Sequence, residues 1–158
     1  MKTLVLFDLE ETLFDAWDSF MPVNQLSVPL WVSKMPKDAT YGLFSYAVYH
    51  DKDLNHFVEH EQEWLENMFN FTFDKNYLWT LEDLMRMVKD VNPTLAFDKK
   101  DFFDFYNKEL AAYTVTKLEM FRDTHVYLVD DPVSNTEAYN PELNMKLTFV
   151  DVTKLPSY

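Results

Sequence analysis

The chain of 158 residues contains no cysteine, which excludes disulfide bonds, thiolate zinc sites and cysteine nucleophiles. Gly42 is its single glycine, so the sequence has no glycine-rich loop of the kind that cradles nucleotide phosphates. No apolar run approaches the ~18 residues of a membrane-spanning helix, and no signal-peptide pattern follows Met1. We therefore expect a cytoplasmic protein that does not contact a membrane.

Positive charge is also scarce, because the 14 lysines and arginines are outnumbered by 27 aspartates and glutamates, for a net charge of −13. Arg86 and Arg122 are the two arginines, so bidentate arginine clamps on phosphate are nearly absent. Such a chain is poorly suited to the phosphate backbone of nucleic acid, and we expect no direct nucleic-acid binding. Its charge suits a cation, or a basic protein surface that itself handles nucleic acid.

Apolar residues, in contrast, are abundant: hydrophobic residues make up 47% of the chain and aromatic residues 17%, enough for the core of one domain over residues 1–158. Apolar runs predict strands over 3–7, 41–49, 71–80, 125–129 and 145–152. Amphipathic spacing predicts helices over 54–69, 81–91, 100–121 (one helix or a pair) and, shorter, 135–139. Alternating strands and helices indicate an α/β fold, with a mostly parallel sheet of about five strands and helices on both faces.

The segment 13–40 has no regular pattern, since three prolines are spaced through it. A short hairpin arm is expected over 27–33. The large side chains of the segment, among them Trp17, Phe20 and Trp31, have two interpretations. They close over a bound substrate as a flap or small cap, or they pack on the edge of the sheet.

Acidic residues stand where two of the predicted strands end. Asp8 ends the first strand, and Asp130 and Asp131 end the fourth. The carboxyl ends of parallel strands lie at one edge of a sheet, where such sheets bind ligands, so we expect these carboxylates to converge. A cluster of this kind either binds a hard cation, for which Mg2+ is suited, or raises the pKa of a member. Turn formation alone also places acids at strand ends.

The same residues carry a resemblance to a known family. Residues 4–13, Leu-Val-Leu-Phe-Asp-Leu-Glu-Glu-Thr-Leu, resemble the first motif of the haloacid dehalogenase (HAD) superfamily, an apolar run followed by Asp-x-Asp-x-Thr-Leu. Residues 126–131, Val-Tyr-Leu-Val-Asp-Asp, resemble its fourth motif, an apolar run ending in paired acids. The resemblance implies a Rossmann-like HAD core with a minimal cap. For most members it also implies Mg2+-dependent phosphoryl transfer through an aspartyl-phosphate.

Carried over residue by residue, the resemblance implies that Asp8 is the nucleophile and a metal ligand. Glu10 occupies the general acid/base position and is also a metal ligand, and Asp130 and Asp131 complete the metal site. Thr12 holds the turn after the strand, next to the substrate.

The third motif of the family is a lysine near the helix that precedes the fourth strand. Lys108 fits this position best, with Lys100 and Lys117 as alternatives. Such a lysine orients Asp8 and offsets its charge.

The chain departs from the family's pattern at Glu10, at Glu11, which replaces the usual small residue, and at the second motif. Glu10 stands where most family phosphatases have Asp, although the enolase-phosphatase branch has Glu there. The second motif requires Ser or Thr at the end of the second strand, where this chain has Tyr49 and His50; Ser45 lies too early unless the strand is short. We expect a protonated His50 to bind the phosphate in place of the hydroxyl.

These observations predict an Mg2+-dependent phosphohydrolase acting on a small phosphorylated metabolite or nucleotide. The alternative is a catalytically inactive HAD-like acidic protein that binds and modulates a basic partner from nucleic-acid-handling or transcription machinery, in keeping with a composition typical of viral and other AT-biased genomes. A further pattern, His-x-x-Glu-His at residues 56–60, matches the inverted zinc-peptidase signature, but a chain with four histidines often has such a spacing by chance.

Overall fold

The computed structural model describes residues 1–95, 98–105, 107–131, 133–134 and 136–157, with the backbone alone at 103–105. Within these residues the strands are β1 Lys2–Phe7, β2 Thr40–Phe44, β3 Phe73–Trp79, β4 Thr124–Asp130, β5 Glu137–Asn140 and β6 Met145–Asp151. The helices are α1 Ser27–Val32, α2 Asp51–His60, α3 Gln62–Phe69, α4 Leu81–Val91, α5 Lys99–Phe105 and α6 Lys108–Val115, with 3-10 turns at Glu119–Phe121 and Val152–Lys154. Across these stretches, no helix is both long enough and apolar enough to cross a membrane.

The described strands form one sheet in the order β3-β2-β1-β4-β6-β5. Pairing is parallel from β3 through β2, β1 and β4 to β6. β5 is antiparallel to β6 and forms one edge. The predicted α/β class and mostly parallel sheet are confirmed, with six strands where about five were expected.

Two apolar cores cover the two faces of this sheet, because successive side chains of a strand point to opposite sides. Leu4 and Leu6 of β1 pack in the core with α4 and α6, whereas Val5 and Phe7 pack in the core with α2 and α3. All four side chains are buried. Burial on both faces explains why β1 is a continuous apolar run, and it fixes the strand at the centre of the fold.

Helix α4 follows the prediction residue for residue, over 81–91. Thr80 caps its start: the Asp83 backbone N–H donates to Thr80 Oγ1 at 3.0 Å, and the Thr80 N–H donates to an Asp83 carboxylate oxygen at 2.9 Å. Such reciprocal caps satisfy backbone donors that a helix leaves unpaired, so the local sequence is enough to set this boundary.

Two predicted helices are each divided. The segment 54–69 forms α2 and α3, separated by Glu61, whose side chain caps neither helix through a hydrogen bond. The segment 100–121 forms α5, α6 and a 3-10 turn. Asn107 caps the start of α6, because its side-chain oxygen accepts a hydrogen bond from the Leu110 backbone N–H at 2.8 Å.

Two short predictions were wrong. The segment 27–33, expected as a hairpin arm, contains helix α1; Pro29 lies in its first turn, where a missing N–H costs nothing. The segment 135–139, expected as a helix, contributes to strand β5, and residue 135 lies outside the described residues. Pairing with β6 decides the outcome there, and local propensity does not.

The large side chains of segment 13–40 pack within the protein. Phe20 stacks on Phe14 with ring centroids 4.3 Å apart, and it also contacts Trp64 of α3 at 5.1 Å. Trp31 meets Tyr127 of β4 edge-on at 5.6 Å. These rings therefore pack within the protein, in the same core as α3, but Trp31 lies against the central strands β1 and β4 and not on the edge of the sheet.

Gly42, the single glycine, lies in β2 where the pairing register with β3 shifts. A Cβ atom at this position would lie 2.5 Å from Tyr77 Cβ, 2.7 Å from the Tyr77 carbonyl oxygen and 2.9 Å from a Leu6 methyl. Two of these atoms belong to the neighbouring strand close to its backbone, so the contact cannot be relieved by rotating a flexible side chain. The close approach of β2 and β3 requires glycine here.

We expect Gly42→Ala to lower the free energy of unfolding by about 1–3 kcal/mol, the usual cost of overpacking a core. Urea denaturation followed by circular dichroism measures this. Thr40→Ala, in the same strand and half-buried, is the matched control for altering β2. An unchanged midpoint for Gly42→Ala would show that the two strands separate at no cost.

Candidate active site

The carboxyl ends of β1 and β4 bring the predicted acids together. Phe7 is paired with Val129 in the parallel ladder, and the Asp8 backbone N–H extends it by donating to the Val129 carbonyl at 3.0 Å. Asp8 is therefore the first residue beyond β1, next to the end of β4. Carboxylate oxygens of Asp8, Asp130 and Asp131 lie within 4.8 Å of one another.

Lys108 joins two of these carboxylates. Its Nζ lies 2.5 Å from Asp8 Oδ1 and 2.9 Å from Asp130 Oδ2, although Asp8 is 100 residues away in the chain. Burial alone would lower the pKa of Lys108, but the charges and hydrogen bonds of Asp8 and Asp130 outweigh it and raise the pKa. The ammonium is thus charged and bridges the ends of β1 and β4. Of the three lysines considered from the sequence, this one reaches Asp8.

Thr12 fixes the other side of Asp8. Its buried hydroxyl donates to Asp8 Oδ2 at 3.1 Å, so each carboxylate oxygen of Asp8 has its own donor. The turn that places Thr12 passes through Glu11, whose φ of 63° lies in the left-handed region. Non-glycine residues seldom adopt this conformation, and where they do it is often at a functional site.

Negative charge exceeds positive charge in this cluster. Burial raises the pKa of Asp130 to about 7; Lys108 acts in the opposite direction, and Asp8 makes a smaller contribution that raises it. Burial, together with Glu11 and Asp8, raises the pKa of Asp131 to about 6. Three carboxylates and one ammonium leave an excess of negative charge that a cation can neutralise. A set of carboxylate oxygens is the ligand type that Mg2+ prefers. The residues present therefore fit a magnesium ion.

A pocket of about 370 Å³ opens at the cluster. Besides Asp8, Lys108, Asp130 and Asp131, its wall is formed by Glu10, Glu11, Asn107, Glu109 and Val133. Glu10 lines the pocket without belonging to the three-carboxylate group. Its pKa is raised by burial and by the charges of Asp8 and its acidic neighbours, against a hydrogen bond from Trp17 that lowers it. A carboxyl group that holds its proton more tightly than usual is suited to act as a general acid.

The structure corrects the position of the second-motif hydroxyl. Strand β2 ends at Phe44 and not at residue 49, so the buried Ser45 is the first residue beyond β2, as Asp8 is beyond β1. Ser45 Oγ accepts from the Ala47 backbone N–H at 3.2 Å. A hydroxyl therefore does follow the second strand, which is short, the case in which the sequence places Ser45 at the second-motif position.

His50, expected at the end of this strand, lies at the start of α2. Its backbone N–H donates to an Asp53 carboxylate oxygen at 2.9 Å, and its ring Nδ1 hydrogen-bonds the Glu82 carboxylate. The residues that line the 370 Å³ pocket include neither His50 nor the buried Ser45. The His50 ring is thus engaged by α4 outside the acidic cluster.

The free energy of unfolding should fall as pH rises from about 4 to about 7, because Asp130 loses its proton in the folded state. Its pKa is about 7 when folded and near 3.8 when unfolded, so the folded state binds the proton more tightly across this window. Each unit of pKa difference corresponds to about 1.4 kcal/mol. In Asp130→Asn we expect the fall in unfolding free energy between pH 4 and 7 to shrink by at least about 1 kcal/mol.

Urea denaturation at pH 4, 5.5 and 7 without divalent cations measures the effect. Asp90→Asn, which removes one exposed acid from α4, controls for the change in net charge. Parallel pH profiles for wild type and Asp130→Asn would contradict the raised pKa.

No protein-family model matches the chain, and no curated protein or solved structure shows significant similarity to it. Comparison thus supplies neither a family nor a fold relative. The functional argument depends on the geometry of Asp8, Lys108, Asp130 and Asp131.

Proposed function

We propose that the chain is an Mg2+-dependent phosphohydrolase of HAD type, acting on a small phosphorylated metabolite or nucleotide. One observation carries the proposal: the Lys108 ammonium lies within hydrogen-bond distance of both Asp8 and Asp130. These residues come from three separate parts of the chain, and the motif resemblances select the same three. Structural ion pairs rarely coincide with such a pattern at the carboxyl edge of a parallel sheet, where ligands bind.

In the proposed reaction, an Asp8 carboxylate oxygen attacks phosphorus and the bond to the substrate's ester oxygen breaks. Glu10 gives its proton to that leaving oxygen. The resulting Glu10 carboxylate then takes a proton from water, which attacks the acyl phosphate, releases inorganic phosphate and restores Asp8. The raised pKa of Glu10 suits the first of these proton transfers.

Lys108 and Thr12 serve as positioning residues in this scheme. Their bonds to the two oxygens of Asp8 limit its rotation. Ser45, next to β1 at the end of β2, is the hydroxyl that would donate to a phosphate oxygen. His50 is replaced in that role because it pairs with Glu82.

Asp8, Asp130 and Asp131 would hold the magnesium ion. When bound, Mg2+ neutralises part of the negative charge of both the carboxylates and the phosphate, so that two anionic groups can approach. Burial is the main cause of the raised pKa values of Asp130 and Asp131, and the charges of Glu11 and Asp8 add to it at Asp131; a bound cation would favour the ionised form of both carboxyl groups.

A second candidate is a catalytically inactive HAD-like protein that binds a basic protein partner. The observation in its favour is the pocket wall, which carries six carboxylates and a single lysine. Such a wall repels a phosphate dianion unless a cation is present, and it attracts lysine and arginine side chains. The net charge of −13 extends the same preference to the rest of the molecule.

Hydrolysis of an aryl phosphate separates the two candidates. With millimolar Mg2+ we expect measurable turnover, lost on chelation and reduced on the order of 10³-fold or more by Asp8→Asn, since this removes the nucleophile. Asp90→Asn is the control and should retain activity. In parallel, Mg2+ should raise the melting temperature of wild type, because it binds the folded state alone. Stabilisation by Mg2+ without turnover on a broad phosphoester panel favours the binding protein.

Removal of the Ser45 hydroxyl tests how phosphate is held. We expect Ser45→Ala to lower kcat/KM by roughly 10²–10³-fold, the usual cost of losing one preorganised donor, and Ser45→Thr to restore a large part. His50→Ala should leave kcat/KM within a few fold, because its ring pairs with Glu82. Loss of activity in His50→Ala with none in Ser45→Ala would return the phosphate-binding role to His50.

A further inference from the structure

Two histidines share one face of α2. His56 and His60 are four residues apart, and their ring centroids lie 4.5 Å from each other. Their side chains are 63% and 60% exposed, so solvent and ions reach both rings. Residues at this helical spacing are neighbours on the surface, and a histidine pair so placed can chelate one metal ion.

Glu61 adds a carboxylate directly after these histidines, at the junction of α2 and α3. It is 8% exposed, and its Oε1 lies 3.2 Å from His56 Nδ1. Its other oxygen, Oε2, is buried and has no hydrogen-bond partner within the described residues. A buried carboxylate oxygen without a donor costs free energy, and a native protein seldom leaves one so.

The three side chains are coupled electrostatically. Burial raises the pKa of Glu61, while His56 and His60 act in the opposite direction. The desolvated carboxylate is thus near both imidazoles, and a positive charge at that point would satisfy it.

We propose that His56, His60 and Glu61 form a site for a divalent transition metal, with Zn2+ as the best fit, separate from the acidic pocket. Two imidazole nitrogens and one carboxylate oxygen are ligands that Zn2+ favours, whereas Mg2+ prefers oxygen alone. The ligand atoms of His56, His60 and Glu61 do not all lie within 4.8 Å of one another in the structure. Binding therefore requires side-chain movement, in which the His60 ring turns away from Glu59, whose carboxylate oxygen lies 3.8 Å from His60 Nε2. Both of these side chains are exposed, so the movement costs little.

The site is a binding site and not a peptidase centre. In the zinc-peptidase pattern the glutamate between the histidines activates water, but here Glu59 is 72% exposed and pairs with His60. The third ligand is Glu61, which lies outside that pattern. A metal ion held by two histidines of α2 and by Glu61, the residue between α2 and α3, would stabilise the junction of the two helices.

Calorimetric titration of the chelator-treated protein with Zn2+, in millimolar Mg2+ to fill the acidic pocket, tests the site. We expect one Zn2+ per chain. His56→Asn, His60→Asn and Glu61→Gln should each weaken binding by at least about tenfold. Asp8→Asn and Glu63→Gln, a neighbouring exposed acid of α3, should bind like wild type. Zn2+ should also raise the melting temperature of wild type and not that of His60→Asn.

Titration with Co2+ gives a second measurement, since its visible absorption reports nitrogen and oxygen ligands in a low-coordinate site. If Glu61→Gln fails to fold, the exposed His60→Asn still decides the question. Absence of Zn2+ binding, or binding that is lost in Asp8→Asn and kept in His60→Asn, would overturn the proposal.

Discussion

The ammonium of Lys108 between Asp8 and Asp130 is the interaction on which the arrangement of this edge of the sheet depends. Carboxylates at the ends of two adjacent buried strands repel each other strongly, because little water screens them. One positive charge from the start of α6 offsets that repulsion and joins β1, β4 and α6 at a single point. Burial still raises the pKa of Asp130, and the one ammonium lies in a cluster of three carboxylates, with Asp131 as the third. The remaining imbalance is what makes a cation, or a basic partner, a reasonable occupant.

Sequence patterns predicted the elements whose boundaries are decided locally or by simple burial. β1 is apolar on both faces, and α4 starts at a reciprocal cap, so both could be placed from the chain alone. β5 could not be, since a short polar segment becomes a strand only through pairing with β6. Glu61 likewise divides a helix whose apolar periodicity continues across it.

The residues of the candidate site also divide into those that the sequence could predict and those that it could not. The convergence of Asp8 and Asp130 could be predicted from the topology, because parallel strands end at one edge of a sheet. The role of Lys108 could be predicted from the resemblance of its position to the third motif. Ser45 was considered only for the case of a short second strand, because the apolar run 41–49 is typical of one long strand. A usable signal existed: the neighbouring run 3–7 has five residues, so a nine-residue partner is longer than β1 can pair with. Glu61 had no such signal, since its burial depends on how α2 and α3 pack.

The hairpin of β5 and β6 has a consequence for how the molecule behaves at high concentration. The Phe149 N–H donates to the Thr136 carbonyl, so residues 136 and 149 form a hydrogen-bonded pair of the antiparallel ladder. Hydrogen-bonded and non-hydrogen-bonded pairs alternate in such a ladder, and the backbone groups of residues 137 and 139 therefore point away from β6. A four-residue edge strand therefore offers another chain very little to pair with. The opposite edge, β3, carries Asp74 and Lys75 in its first half. Both edge strands of this largely apolar sheet therefore disfavour pairing with another chain, which would be the first step of edge-to-edge polymerisation into fibrils.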